Sequence, residues 1–166
     1  GLLPTRTCCC VLDVKPGMHA VWHYPLGSVG APRKVLTRWD DITQCRHRYP
    51  FPGNPAASPT QYGMIGEFGG IGAFLAGKEW VPDKCHTYLK VDNSTAEADA
   101  YIKMAAHIER YQKGQSASAS VYTQITDVEL ECDGFLNYDR TNKFSAVDTA
   151  AIAAANKAII DGAAHV

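Results

Sequence analysis

The sequence predicts an α/β chain built from parallel strand–helix units. Two short apolar runs of β-forming character, at residues 61–67 and 117–123, are each followed by a stretch with helical spacing. Both helical stretches also carry a start signal and a stop signal. Strands that alternate with helices in this way argue for parallel βα units rather than a meander.

Residues 1–44 carry little of this order. Pro16-Gly17, Gly27, Gly30 and Pro32 interrupt each apolar run, and Val11 to Val14 is the one segment that reads as a short strand. The segment is expected to be an irregular leader, foreign to the rest of the chain. Arg46-His47-Arg48-Tyr49 reads as a strand ending near Tyr49. Pro50 to Pro55 is too rich in proline and glycine for a helix or a central strand.

Gln61 to Glu67 reads as a buried strand, and Phe68-Gly69-Gly70-Ile71-Gly72 as a sharp turn after it. Residues 73–93 form a long connection, of the length that usually serves a function. Trp80 within it is expected to pin the loop rather than to offer a ligand platform. Ser94 and Glu97 match a capping box and start a helix to about Lys113, stopped by Gly114. Its apolar face is Ala98, Tyr101, Ile102, Ala105 and Ile108. Ala117 to Thr123 is a strand and Asp127 to Arg140 a polar loop. Ser145 caps a last helix to about Ile160, with Ile152, Ala155 and Ile159 inward and Gly162 at its end.

The 166 residues suit one domain, and a 46% hydrophobic content is enough to build a core. Sixteen basic against 17 acidic residues leave a net charge of −1, which gives nucleic acid no electrostatic hold. No apolar run approaches the ~18 residues a membrane span needs. The chain starts at Gly1 with no initiator Met and no signal peptide, and is expected to be a fragment. The six cysteines include Cys8-Cys9-Cys10, a spacing that suits neither a disulfide framework nor a zinc site. Free thiols are the expectation, and no compartment follows from them. Asp127, Glu129, Glu131, Asp133 and Asp139 lack calcium-loop spacing and are expected to be a solvated face, with Asp139 paired to Arg140 or Lys143.

Glu67 is the residue best placed for chemistry, since parallel barrels carry their catalytic groups at the C-terminal ends of strands. On residue type alone, a turn-capping glutamate remains the alternative. Three blocks add to this reading. His47-Arg48-Tyr49-Pro50, Met64-Ile65-Gly66-Glu67-Phe68-Gly69-Gly70, and Tyr122 to Glu129 continuing through Glu131, Gly134 and Tyr138-Asp139-Arg140 occur in that order. Together they resemble the sixth, seventh and eighth strands of the catalytic barrel in glycoside hydrolase family 2, the family of β-galactosidases and β-glucuronidases.

The resemblance implies a partial TIM (β/α)8 barrel over residues 45–166, about its last three βα units. It implies a retaining mechanism with Glu67 as nucleophile, and a carbohydrate substrate met by His47, Tyr49, Tyr122 and Gln124. His19, His23, His86 and His107 share no metal-ligand spacing and no P-loop or dinucleotide fingerprint occurs, so no cofactor and no metal are expected. The expected partners are the remainder of the barrel and upstream β-sandwich domains, not nucleic acid or membrane. The family's Asn-Glu acid/base pair occurs nowhere in this chain, and Cys45 stands where an acidic residue often precedes the His-x-Tyr-Pro block. A carbohydrate-binding module without catalysis, and a structural α/β fragment, are the competing readings.

Overall fold

The computed structural model describes residues 19–22, 44–56, 63–115 and 117–162. The described residues form a mixed α/β structure with six strands and two helices in the order β1(His19–Trp22), β2(Gln44–His47), β3(Gly63–Gly69), β4(Ile71–Ala73), β5(Leu89–Val91), α1(Ser94–Gln115), β6(Ala117–Thr123) and α2(Ala146–Gly162). Four strands form one sheet in the order β1-β6-β3-β2, and β4 with β5 forms a small second sheet. Strands β2, β3 and β6 run parallel, as the βα pattern predicts. The described strands do not close into a barrel.

The described part of the leader departs from the irregular structure expected. His19–Trp22 is a strand that pairs antiparallel with β6, His19 opposite Tyr122. The Val11–Val14 strand lies outside the described residues. The strand before Tyr49 ends at His47, and the long connection 73–93 contains β5, which pairs parallel with β4.

Both helices pack over one face of the sheet. Their meeting with it is dry and aromatic: Ile65, Phe68 and Tyr122 from the strands join Tyr101, Met104, Ile108, Ile152 and Ile159 from the helices. A small cavity between them is lined by Phe68, Tyr101, Ile108, Ser120, Tyr122, Asn156 and Ile159. The apolar spacing identified both buried faces, although Ile102 and Ala155 are only half-buried and Met104 replaces Ile102 in the core.

The α1 start signal is displaced by one residue. Asn93, not Ser94, is the N-cap: its Oδ1 accepts the Ala96 N–H at 2.9 Å. Glu97 therefore does not reach back to cap. It turns inward, is fully buried, and accepts the Ala73 N–H at 2.8 Å. The helix runs to Gln115, past Gly114, and its end is met by Asn54, which donates to the Gln115 carbonyl at 2.9 Å. At α2 the expected cap holds, with Ser145 Oγ accepting the Asp148 N–H at 3.1 Å.

The carboxylate-rich loop is a solvated face only in part: Glu129 and Asp139 are exposed, whereas two of its carboxylates are drawn inward. Asp127, Asp133 and Lys143 are buried with Glu97. Lys143 Nζ lies 2.9 Å from Asp127 Oδ1 and 3.9 Å from Glu97 Oε2. Asp139 pairs with Lys78 at 2.6 Å, rather than with Arg140 or Lys143. Burial pushes the Glu97 carboxyl up to about 8, against the pull of Lys143, and pushes Asp133 up to about 7. One ammonium cannot neutralise three buried carboxylates, so the cluster holds protons that exposed carboxyls would release.

The cysteines also depart from the free-thiol expectation, since Cys85 and Cys132 form a disulfide. It ties the loop after β4 to the loop after β6. Backbone bonds from His86 N–H to Leu130 O and from Cys132 N–H to His86 O flank it.

Candidate functional site

The site is created by a bulge. Arg46 pairs with Ile65 but His47 pairs with Glu67, and Ile65 pairs with Ser120 but Phe68 with Tyr122. Strand β3 thus carries one extra residue, Gly66, against both neighbours. A regular strand alternates faces with period two, which would send Glu67 to the same face as Ile65, under the helices. The extra residue resets the alternation. Ile65 and Phe68 both enter the core, and Glu67 emerges on the face away from the helices.

Gly66 is required there for space. A Cβ on it would lie 2.1 Å from Cys45 Sγ and 2.7 Å from the His47 ring. The His47 imidazole can cross the strand only over a bare backbone. On the other side of Glu67, Gly70 at φ +62° turns the chain out of the sheet, a conformation that L side chains rarely adopt. The backbone between is held from both neighbours. Arg48 N–H donates to Glu67 O, Gly69 N–H to Pro50 O and Gly70 N–H to Thr123 O.

The Glu67 side chain is 29% exposed and receives two neighbours on one oxygen. The Tyr49 hydroxyl donates to Oε2 at 2.7 Å, and His47 Nδ1 lies 3.2 Å from the same atom. Oε1 has no protein partner among the described residues. The Tyr49 oxygen also lies 2.8 Å from Thr123 Oγ1. A phenol has one proton, so with that proton given to the carboxylate, Thr123 supplies the hydrogen of the second bond. Burial pushes Tyr49 ionisation well above its ordinary range, and the Glu67 carboxylate raises it further although Thr123 opposes the shift. Tyr49 is therefore a lasting donor.

Sequence reasoning and structure meet on Glu67, His47 and Tyr49, which stand together. They part on Tyr122 and Gln124. Tyr122 lies on the helix side of β6, edge-on to Tyr101 at 4.9 Å and stacked on Phe135 at 4.5 Å. It is a core residue and not part of the Glu67 cluster. Gln124 is also buried and donates to Asp133 Oδ1 at 2.8 Å. It joins the buried carboxyl cluster. The residue of β6 that does reach the site is Thr123, which strand alternation places opposite to Tyr122.

Tyr49 also differs in detail from the expected sugar-stacking ring. One of its faces is already covered by Tyr88, with ring centroids 4.0 Å apart and planes 10° from parallel. Tyr88 was not visible as a site residue, because its neighbours in the long connection form no motif. Trp80 stacks on Tyr138 at 5.8 Å, as befits a loop anchor. Among the described residues no group of His, Cys, Asp and Glu could hold a metal ion. No helix of the described residues is long and apolar enough to cross a membrane. No protein-family model matches the chain, and no curated protein matches it.

Proposed function

We propose that the chain is the nucleophile-bearing part of a retaining glycoside hydrolase of the family 2 type. In this reading β2, β3 and β6 are an arc of a (β/α)8 wall, and Glu67 is the nucleophile. One observation carries it: Glu67 stands at a strand end, aimed away from the core, with Oε2 held by Tyr49 and beside His47 while Oε1 has no partner among the described residues.

That division of labour suits covalent catalysis. Donors on Oε2 orient the carboxylate and delocalise its charge, and Oε1 attacks the anomeric carbon. The Oε1–C1 bond forms as the C1–O bond to the leaving group breaks, and its electron pair departs with that oxygen. A second carboxyl, ~5–5.5 Å from the first in retaining enzymes, protonates the leaving oxygen and later deprotonates water. The Asn-Glu pair that holds it in the family is not in this sequence. The chain by itself is therefore expected to turn over no ordinary glycoside. The substrate is a glycoside whose sugar and linkage stay open among galactosides, glucuronides, mannosides and others.

A leaving group that needs no acid tests the nucleophile separately. The chain is incubated with a panel of 2,4-dinitrophenyl 2-deoxy-2-fluoroglycosides and weighed intact. The expected result is one added glycosyl mass on the peptide containing Glu67, absent from Glu67→Gln. Binding without any adduct would favour a carbohydrate-binding module instead. Labelling that survives Glu67→Gln would end the proposal.

A further inference from the structure

We propose that Tyr88 is the platform for the ring attached to the reacting sugar, and so sets preference for the leaving group. The inference rests on the glycosidase reading of Glu67. Tyr88 is 64% exposed although it is a large aromatic residue. One of its faces is taken by Tyr49, the residue that holds the Glu67 carboxylate. Its Cδ2 edge lies against Gly70, where a Cβ would come within 2.4 Å of it. The exposure therefore belongs to the opposite face and the hydroxyl edge.

The backbone that carries this exposed ring is anchored on both sides. The Gly70 carbonyl accepts the N–H groups of Tyr88 at 3.1 Å and Leu89 at 2.9 Å, and the Thr87 hydroxyl as well. Three residues upstream, the Cys85–Cys132 disulfide fixes the same loop to the loop after β6. That backbone does not need to be ordered when a ligand arrives, and an exposed aromatic face placed in advance binds flat apolar surfaces at little entropic cost. Phe51 and Trp80 are also large, aromatic and exposed, but their ring partners are His107 and Tyr138, not a partner of Glu67.

The position decides which ring is met. The Tyr49 hydroxyl meets the carboxylate in the plane of its own ring, and Tyr88 covers one face of that ring, so a ligand ring on the outer face of Tyr88 lies two stacking distances out from the plane in which Glu67 is held. That is the place of the adjoining ring, not of the sugar whose anomeric carbon Glu67 attacks. A flat aryl group, or the apolar face of a second pyranose, fits this surface. A methyl group does not cover it.

The test compares dissociation constants of 4-nitrophenyl and methyl β-glycosides of galactose, glucose, mannose and glucuronic acid, measured on the full chain. The wild type is expected to prefer the aryl ligand. Tyr88→Ala should lower that preference about fivefold, the scale of one aromatic contact, with methyl-glycoside affinity unchanged. Tyr88→Phe should keep it. An aryl preference intact in Tyr88→Ala overturns the role of Tyr88 and leaves the glycosidase reading standing. Absence of binding to every glycoside by the wild type overturns both. A loss shared equally by methyl and aryl ligands also overturns it, since that would reflect displacement of Tyr49.

Discussion

Two glutamates thirty positions apart show how one residue type serves opposite ends. Glu67 sits at the sheet rim, part-exposed, with donors gathered on one oxygen and the other oxygen open. Glu97 is fully buried, accepts a single backbone N–H, and has Lys143 only at 3.9 Å. Its Oε1 finds no hydrogen-bond partner. The first is oriented by its neighbours and reaches solvent. The second is desolvated, and its charge is suppressed. What separates them is not the local sequence but a bulge that turns one outward and a helix start that turns the other in.

The strongest way to break the buried half is to remove its cation. Lys143→Met should leave Asp127 as an uncompensated interior charge and cost about 3–5 kcal/mol, read from the urea midpoint. A smaller effect comes from pH. Glu97 and Asp133 bind protons in the folded chain up to about 8 and about 7, but the unfolded chain releases them near 4.5 and 3.8. Their contribution is fully present below the unfolded values and is lost as pH rises through the folded ones. Stability should therefore fall from about pH 4 to pH 8, by at most about 1.4 kcal/mol per pH unit for each group, and Glu97→Gln should flatten the slope.

The rim half breaks differently. Gly66→Val forces a side chain into the space of Cys45 and His47, with an expected cost of about 1–3 kcal/mol. The His47 imidazole resonances should shift with it, which a regular, unbulged strand would not require. Tyr49→Phe should be the mildest, at about 1 kcal/mol or less in thermal unfolding. Its larger effect should fall on the rate of Glu67 trapping by the fluoroglycosides. An unchanged rate would show that the phenol does not orient the carboxylate.

The parallel strands and both helices were readable because each rests on spacing that burial enforces. Ile152 and Ile159, or Tyr101 and Ile108, can lie on one helix face in only one way. Glu67 was readable as a strand end followed by glycines. The sequence reading failed wherever a residue's neighbour came from a distant segment. Tyr122 and Thr123 are adjacent and equally suited to a strand, and only the register of β6 against β3 decides that Thr123 faces Tyr49. Asp127 and Asp133 read as solvent-facing because the groups that meet them inside, Lys143 on Asp127 and Gln124 on Asp133, share no local motif with them. Cys85 and Cys132 are 47 residues apart with no spacing rule to join them. Asn93 outcompeted Ser94 as a cap, since either side chain satisfies the same motif one register apart.

The antiparallel strand His19–Trp22 has a consequence for any larger assembly. It occupies the outer flank of β6, where a barrel wall of parallel strands would have to be joined to itself. With that seam filled by a strand of reversed direction, further parallel strands can be added only beside β2. Circularisation would begin with a strand exchange at β6, so the rate at which His19–Trp22 lets go would govern how fast the wall could ever close.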